Sequence, residues 1–336
     1  MAVRLKDIAQ DLGVSTVTVS KVLRGNADIG ERTRARVLAR MRELNYQPNM
    51  QARALASGRS YTAGLVVPDL VHPFFGEFAK SLGGALRASG LALMIASSEE
   101  DPEIEVQEIR TLLNRGVDVL LVASCQTVTS KAPFFGDGNK PFVLIDRNFI
   151  KLGANFVGAD DVKAGEIATR HLISLGRKHI AHIAGQGMSP SVDRRTGYRK
   201  ALASARMRMP ASFVVTRERI EESGDSVGYH AMQELLGRVP RPDAVFCYND
   251  LSAVGAMKAT MEAGLRIPED IAFVGCGNLR YAEYLKVPLT SIDQSTERMG
   301  TAAAKLALQL ASEPQQDVQT MLLEPRLIVR RSSVAG

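Results

Sequence analysis

Residues 5–25 read LKDIAQDLGVSTVTVSKVLRG, and this stretch decides how the N-terminal end of the chain folds. Leu5, Ile8 and Leu12 recur at helical spacing, and the glycine that follows is placed to end that helix in a left-handed conformation. Ser15 is a good N-cap, so a second helix is predicted to begin directly after it. Two helices joined by a short glycine turn are typical of a helix-turn-helix unit.

The second predicted helix, residues 16–23, turns an unusual set of side chains outward. Its inner face carries Val19, Val22 and Leu23, and its outer face carries Thr16, Val17, Ser20 and Lys21. Because β-branched residues are poor helix formers, their concentration on an exposed face needs an explanation. The major groove of DNA supplies one, since hydroxyl, methyl and ammonium groups can contact base edges and phosphates there. The alternative is a short buried helix in an ordinary three-helix domain.

A third helix is expected from about Glu31 to Asn45, and its apolar stripe consists of Val37, Leu38, Met41 and Leu44. Arginines occupy its other face. The first 60 residues carry eleven basic and five acidic side chains, a surplus that equals the net charge of +6 of the whole chain. Positive charge confined to one end favours a polyanionic partner for that end alone, although a solvated basic face would show the same charge.

Composition places the chain among ordinary globular proteins. Its 336 residues suit a small module plus a two-lobed domain, and 45% of them are hydrophobic. No apolar stretch is long enough for a bilayer or a signal peptide, so a cytoplasmic protein without a membrane partner is expected. The widely spaced cysteines Cys125, Cys247 and Cys276 predict buried thiols, and neither a metal site nor a cofactor is expected.

After Ser60 the pattern changes to apolar runs that alternate with helical stretches. The runs cover residues 62–68, 91–98, 117–124, 141–146, 179–185, 243–250 and 271–277. Near-continuous apolar strands separated by amphipathic helices predict parallel sheets covered on both faces. Two such series predict an α/β fold with two doubly wound parallel-sheet lobes. In such folds ligands bind at the carboxyl ends of the strands, here in a cleft between the lobes.

Residues 5–25, followed by TRARVLARMRELNYQPNMQARALASGRS at 33–60, resemble the DNA-binding headpiece of the lactose-repressor (LacI/GalR) family. The resemblance implies an all-α helix-turn-helix domain over residues 1–47 and a hinge helix with linker over residues 48–60. It also implies that Leu55 enters the minor groove as an apolar wedge and kinks the duplex. The implied DNA-binding residues are Leu5, Ser15, Thr16, Val17, Thr18, Ser20, Lys21, Asn26, Tyr46, Asn49, Arg53 and Leu55.

Residues 61–336 resemble the periplasmic-binding-protein-like effector and dimerisation domain of the same family. The matching stretches include PDLVHPFFGEFAKSL at 68–82, RRTGYRKAL at 194–202 and YNDLSAVGAMKATMEAGLRIPEDIAFVG at 248–275. In that family the chain passes between the lobes three times. The resemblance therefore implies a first lobe of about residues 61–160 and 294–321, and a second lobe of about residues 161–293 and 322–336.

The same resemblance implies effector-binding residues at strand ends that face the cleft: Phe74, Phe75, Asp146, Arg194, Asn249, Asn278 and Gln294. Arg194 has the strongest case, because a guanidinium forms forked hydrogen bonds with ligand oxygens. One of the two phenylalanines is expected in the core and the other at the cleft. Asp250 either edges the cleft or caps the helix that follows it.

One departure from the family pattern affects the effector. The sequence GCGN at 275–278 places Gly277 where most members have an aspartate, and Ser223 falls near an aromatic position of some members. Both changes weaken a simple sugar interpretation. A sugar or another polar metabolite, a bulkier ligand, one bonded by Asn278, and control without an effector all remain open.

Together these features predict a transcription repressor of a metabolic operon. It would bind a pseudo-palindromic operator as a homodimer, under allosteric control by a small molecule in the cleft. Induction and co-repression both fit. An α/β enzyme is the first alternative, but the chain has no GxGxxG, Walker or GxSxG motif and its five histidines are scattered. A periplasmic-type solute-binding protein is the second, and it would have no use for the basic headpiece.

We predict that Leu55→Ala weakens specific DNA binding without unfolding the protein, because the wedge that holds the kinked duplex is lost. Gel mobility with operator DNA measures the affinity, and a thermal melt checks the fold. Unchanged operator affinity in this variant would refute the hinge assignment.

Overall fold

The structure is a computed structural model that describes residues 3–23, 26–46, 58–126, 140–149, 152–216 and 224–335. The chain divides into two units, residues 1–60 and residues 61–336. Four residues named above, Asn49, Arg53, Leu55 and Ser223, lie outside the described part of the chain.

The first unit contains the helices α1 (Leu5–Leu12), α2 (Thr16–Leu23) and α3 (Glu31–Glu43). Gly13 ends α1 with a φ of 64°, in the left-handed region that glycine adopts without steric cost. Ser15 Oγ accepts a hydrogen bond from the backbone N–H of Thr18 at 3.0 Å and so caps α2. The helices enclose an apolar core of Ile8, Ala9, Val19, Val22, Val37 and Met41.

The prediction for the third helix is wrong at Leu38. Val37 and Met41 are buried, whereas Leu38 is 40% exposed. Val37, Met41 and Leu44 share one face at spacings of four and three residues, and Leu38 is turned away from Val37 by about 100°. The helix also ends at Glu43, two residues before the expected end.

The second unit contains two six-stranded sheets. The first sheet consists of β1 (Thr62–Val67), β2 (Ala92–Ser97), β3 (Val119–Val122), β4 (Phe142–Ile145), β5 (Phe156–Ala159) and β11 (Thr320–Leu323). The second sheet consists of β6 (Ile180–Ala184), β7 (Val214–Thr216), β8 (Ala244–Cys247), β9 (Ala272–Cys276), β10 (Thr290–Asp293) and β12 (Arg326–Ile328). The strand orders are β11-β5-β4-β3-β1-β2 and β12-β10-β9-β8-β6-β7. Two doubly wound parallel sheets are thereby confirmed, with β12 antiparallel to β10 at one edge.

Helices cover both faces of each sheet. On the first sheet, α4 (Pro73–Ala88) and α10 (Thr296–Ser312) pack on one face and α5 (Pro102–Asn114) on the other. On the second sheet, α6 (Asp161–Ser174) and α7 (Ser189–Ser204) pack on one face, and α8 (Gly224–Leu236) and α9 (Asp250–Glu262) on the other. Coverage on both sides explains why most strands read as continuous apolar runs. Among the described helices, none combines the length and the apolar character needed to span a bilayer.

The chain crosses between the two sheets after β5, after β10 and after β11. The last crossing was expected at about residues 321–322, and the structure places it two residues later. Leu322 and Leu323 still pair with Gly158 and Ala159 in the first sheet, so the crossing follows Leu323. The side chains of β11 are at most half-buried, which leaves only a weak signal in the sequence.

Helices α6 and α7 approach each other through two glycines. A Cβ atom at Gly165 would lie 2.1 Å from the carbonyl oxygen of Arg194, and one at Gly197 would lie 2.0 Å from that of Val162. No side chain fits at either position without moving the helices apart. The close contact brings Asp161, the first residue of α6, beside Arg194 in α7.

The three cysteines are free and buried, as predicted. Burial raises the pKa of both Cys125 and Cys276 to about 12, and it also raises the pKa of Cys247. Their thiolate fraction at neutral pH is therefore very small, which makes them poor nucleophiles.

His182 lies fully buried in the second lobe, where its ring stacks on Tyr198 and Phe246. Its Nδ1 is 2.9 Å from the carbonyl oxygen of Phe246, so this nitrogen carries the proton and donates it. Within the described part of the chain, the buried Nε2 has no hydrogen-bond partner. Burial lowers the pKa of His182 from 6.5 to about 4.

We predict that His182→Phe reduces the acid sensitivity of folding. The folded state binds this proton less readily than the unfolded state, so stability conferred by neutral His182 is lost as the pH falls from 6.5 towards about 4. The loss is on the order of 1 kcal/mol per pH unit. Phenylalanine keeps the aromatic stacking but binds no proton. Urea unfolding of both proteins at neutral and mildly acidic pH measures the effect, and equal acid sensitivity would contradict it.

Candidate functional site

The outer face of α2 begins with two exposed side chains. Val17 is 59% exposed, and Thr16 beside it is exposed as well. Ser15 and Thr18 differ, because their hydroxyl oxygens lie 2.9 Å apart within the helix cap. The start of α2 thus presents small methyl and hydroxyl groups, a surface that allows close approach to a DNA groove.

The last turn of α2 adds a cation to this face. Lys21 Nζ lies 2.5 Å from Oδ2 of Asp28, in the turn that precedes α3. Asn26 is exposed, and its backbone N–H donates to the carbonyl oxygen of Lys21 at 3.1 Å. The remaining described DNA-contact candidates are half-buried: Leu5, Ser20 and Tyr46.

Asp146 follows β4 at the carboxyl end of the first sheet. Its φ is 61°, a left-handed conformation that costs a non-glycine residue about 1 kcal/mol or more. Its side chain is only 9% exposed. Burial raises the pKa of Asp146, although the charges of Arg194 and Arg147 oppose this shift. A strained residue with a buried carboxyl group marks this strand end as a functional candidate.

Arg194 projects from α7 and is 3% exposed. Its Nε donates to Oδ1 of Asp161 at 2.7 Å, and its Nη1 donates to the carbonyl oxygen of Tyr248 at 2.7 Å. The guanidinium carbon also lies 4.9 Å from the ring centre of Tyr248. Burial is the largest single influence and would lower the pKa of Arg194, but the charge of Asp161 and those of neighbouring acidic groups together raise it above its ordinary value. Arg194 is thus a fixed cation already paired with a carboxylate.

Arg147 is a site residue that the sequence analysis missed. Its two terminal nitrogens donate to both carboxylate oxygens of Glu100, at 2.9 and 2.7 Å. Asp161 was missed too. Both could have been suspected from position, because Arg147 directly follows Asp146 and Asp161 comes soon after β5 ends. No described residue donates a hydrogen bond to the carboxylate of Asp146, in contrast to Glu100 and Asp161.

The two lobes touch around this cleft. Asn249 lies in the second lobe, and its Nδ2 is 3.4 Å from Nε2 of His72 in the first lobe. The backbone N–H of Asn148 in the first lobe donates to Ser189 Oγ at 2.8 Å. Asn249 Oδ1 also accepts from the backbone N–H of Ser252 at 2.8 Å, so Asn249 caps α9.

Asp250 has neither of the roles expected for it. It is fully buried, and its Oδ2 accepts a hydrogen bond from the backbone N–H of Leu279 at 2.8 Å. This bond holds the turn that contains Gly277 and Asn278. Gly277 has a φ of 133°, and the side-chain oxygen of Asn278 accepts from Arg330 at 2.8 Å. The oxygen of Asn278 is therefore already engaged within the second lobe.

Gln294 and the two phenylalanines complete the predicted effector set. Gln294 is buried, and its Nε2 has no hydrogen-bond partner in the described ranges. A buried donor of this kind costs about 1–3 kcal/mol unless an acceptor meets it. The structure places both Phe74 and Phe75 in the core of the first lobe, where their rings meet edge to face.

Two family models match the chain. Residues 4–49 match the bacterial regulatory proteins of the lacI family, and residues 169–333 match a periplasmic binding protein-like domain. The transcriptional repressor PurR of Photorhabdus laumondii is 32% identical over 335 residues, which cover 99% of this chain and 97% of that protein. The chain belongs to the lacI family of bacterial regulatory proteins.

Solved structures of lacI-type regulators show the same architecture. The lac repressor dimer bound to operator and the anti-inducer ONPF is 26% identical, with a TM-score of 0.82 and full coverage of both chains. A complex of the regulator CelR with cellobiose is 31% identical, with a TM-score of 0.74 over 98% of this chain and 100% of that one. This lacI-family chain is therefore a DNA-binding transcriptional regulator and not an enzyme.

We predict that Gly277→Asp, which introduces the aspartate that the family resemblance led us to expect, destabilises this lacI-family protein. A φ of 133° is open only to glycine, and the new Cβ would lie 3.6 Å from Oδ2 of the buried Asp250. The cost should be roughly 1–3 kcal/mol.

Gly187→Asp is the matched control, because Gly187 has an ordinary φ and no atom within 4 Å of its ideal Cβ position. Thermal unfolding should show a lower Tm for the Gly277 variant alone. Equal melting of the two variants would show that the backbone at Gly277 adapts freely.

Proposed function

We propose that this regulator represses transcription as a homodimer that places α2 of each subunit in the major groove of a pseudo-palindromic operator. The exposed Thr16 and Val17 and the positive charge of the first unit support this role. One headpiece makes few base contacts, whereas two related by a twofold axis read two half-sites. The similar lac repressor structure is a dimer on its operator. Because its target is genomic DNA, we assign the protein to the cytoplasm.

The cleft between the two lobes is the proposed effector site. The observation that supports this proposal is which of its charged side chains already form ion pairs and which do not. Arg147 and Arg194 are each neutralised by a carboxylate, whereas Asp146 accepts no hydrogen bond from a described residue. An anionic effector would have to compete with a buried ion pair, which is costly to break. Hydroxyl groups instead donate directly to Asp146 without disturbing either pair.

Neutral amides supply the other polar groups of the proposed site. Asn249 and the unpartnered Nε2 of Gln294 can bond hydroxyl or ether oxygens. The chemistry therefore favours an uncharged, hydroxyl-rich effector, the class to which the cellobiose of the CelR complex belongs.

Effector binding would act through the relative position of the lobes. The described contacts between them include the hydrogen bond from Asn148 to Ser189, and a ligand that bonds both lobes can shift their equilibrium. The lobe position would in turn decide whether both headpieces can bind one operator. By reciprocity, operator binding must change effector affinity by the same factor.

We predict that Asp146→Asn weakens effector binding by about tenfold or more and leaves operator binding intact, because one of the two carboxyl oxygens is replaced by an NH2 group that cannot accept a hydrogen bond. Arg194→Ala should abolish the effector response as well, but it also leaves Asp161 buried without its partner. The asparagine variant therefore keeps the test valid if Arg194→Ala fails to fold.

The measurement begins with an operator selected from random DNA and a thermal-shift screen of neutral polyols, sugars and sugar acids. Titrations of the wild type, Asp146→Asn and the control Glu103→Gln, which alters an exposed carboxylate on α5, then follow. Preference for a sugar acid, or equal effector affinity of all three proteins, would overturn the assignment. A lack of preference for any duplex sequence would overturn the repressor role itself.

A further inference from the structure

Asp28 places a carboxylate against the surface that we propose binds DNA. Its Oδ2 lies 2.5 Å from Nζ of Lys21, the cation on the outer face of α2. This inference rests on the proposed function, because it requires Lys21 to contact DNA in the complex.

The turn that contains Asp28 is hydrogen-bonded to both α2 and α3. The backbone N–H of Asn26 donates to the carbonyl oxygen of Lys21 at 3.1 Å, which ties the turn to the end of α2. Arg34 in α3 donates from Nη2 to the carbonyl oxygen of Asn26 at 2.6 Å. The backbone, and not only the ion pair, therefore keeps Asp28 beside the ammonium group.

Other ion pairs of this unit use cations outside the proposed DNA-contact set. Arg40 pairs with Asp11 at 2.6 Å and with Glu43 at 3.0 Å, and Arg4 lies 3.6 Å from Asp7. The pair of Lys21 with Asp28 differs because DNA and the carboxylate need the same ammonium group. With side chains 36% and 53% exposed, the pair is accessible and weak enough to open.

We infer that Asp28 is an internal competitor of DNA for Lys21 and so limits operator affinity. A phosphate or a guanine edge must take the ammonium group from Asp28 before Lys21 can contribute to binding.

The same competition changes the dependence of binding on salt. Each phosphate neutralised by a lysine contributes about 0.9 to the slope of log affinity against log salt, because counterions leave the DNA. While the carboxylate of Asp28 competes for the same ammonium group, Lys21 neutralises the phosphate less completely and fewer counterions leave the DNA. Removing the charge of Asp28 should therefore steepen the slope by up to about 1.

The test uses the full chain and its selected operator, with affinity measured by fluorescence anisotropy at several salt concentrations. Asp28→Asn should tighten operator binding about two- to fivefold, the scale of an exposed ion pair, and steepen the salt slope. Asp11→Asn is the matched control, because it removes the same charge from the same unit but releases Arg40. Asp28→Glu keeps the charge and should behave like the wild type.

Lys21→Met, alone and combined with Asp28→Asn, separates the competitor role of Asp28 from the DNA-binding role of α2. If Lys21→Met leaves operator affinity unchanged, the proposed role of α2 fails. If Lys21→Met weakens binding, the gain from Asp28→Asn should largely disappear in its presence. A gain that persists in that background, or an equal gain from Asp11→Asn, overturns the competitor role while the DNA-binding role stands.

Discussion

The close contact between α6 and α7 is the constraint on which the cleft side of the second lobe depends. Gly165 and Gly197 let the two backbones approach so closely that a single methyl group at either position would collide with a carbonyl oxygen. This approach brings Asp161 within 2.7 Å of Arg194 and allows a guanidinium to be buried without an uncompensated charge. Arg194 in turn fixes the carbonyl oxygen of Tyr248 at the end of β8. Helix packing thus determines the electrostatics of the cleft.

Each lobe presents one buried arginine to the cleft, and each arginine is neutralised by a carboxylate of its own lobe. A movement of the lobes would therefore neither bring unpaired cations together nor pull either of these ion pairs apart. The carboxyl group of Asp146 accepts no hydrogen bond from a described residue, which is why we propose it as the group that an incoming molecule bonds. A cleft of this kind selects its ligand by the direction of hydrogen bonds and not by net charge.

The sequence was most informative where local chemistry sets the structure. The bounds of α1 and α2 were predicted to the residue, because Gly13 and Ser15 determine where one helix ends and the next begins. The apolar runs likewise located seven strands, of which all but β2 are largely buried. β11 lies in none of these runs, its side chains are at most half-buried, and its pairing with β5 joins residues far apart in the chain.

Pairings over long sequence distances explain the other differences. Arg147 and Glu100 are 47 residues apart, and Arg194 and Asp161 are 33 apart, so no periodicity could reveal that they meet. Asn249 was predicted as a ligand-binding residue and also caps α9, a role that the sequence analysis considered for Asp250. The position of each residue at a strand end was predictable, but its partner was not.

The depth at which Cys125, Cys247 and Cys276 lie has a practical consequence. Their raised pKa values and their burial make the native thiols almost unreactive towards maleimide dyes. One surface cysteine engineered into each lobe could therefore carry a donor and an acceptor fluorophore while the native residues stay in place. Energy transfer between the dyes would then follow the distance between the lobes in single molecules, with and without operator DNA.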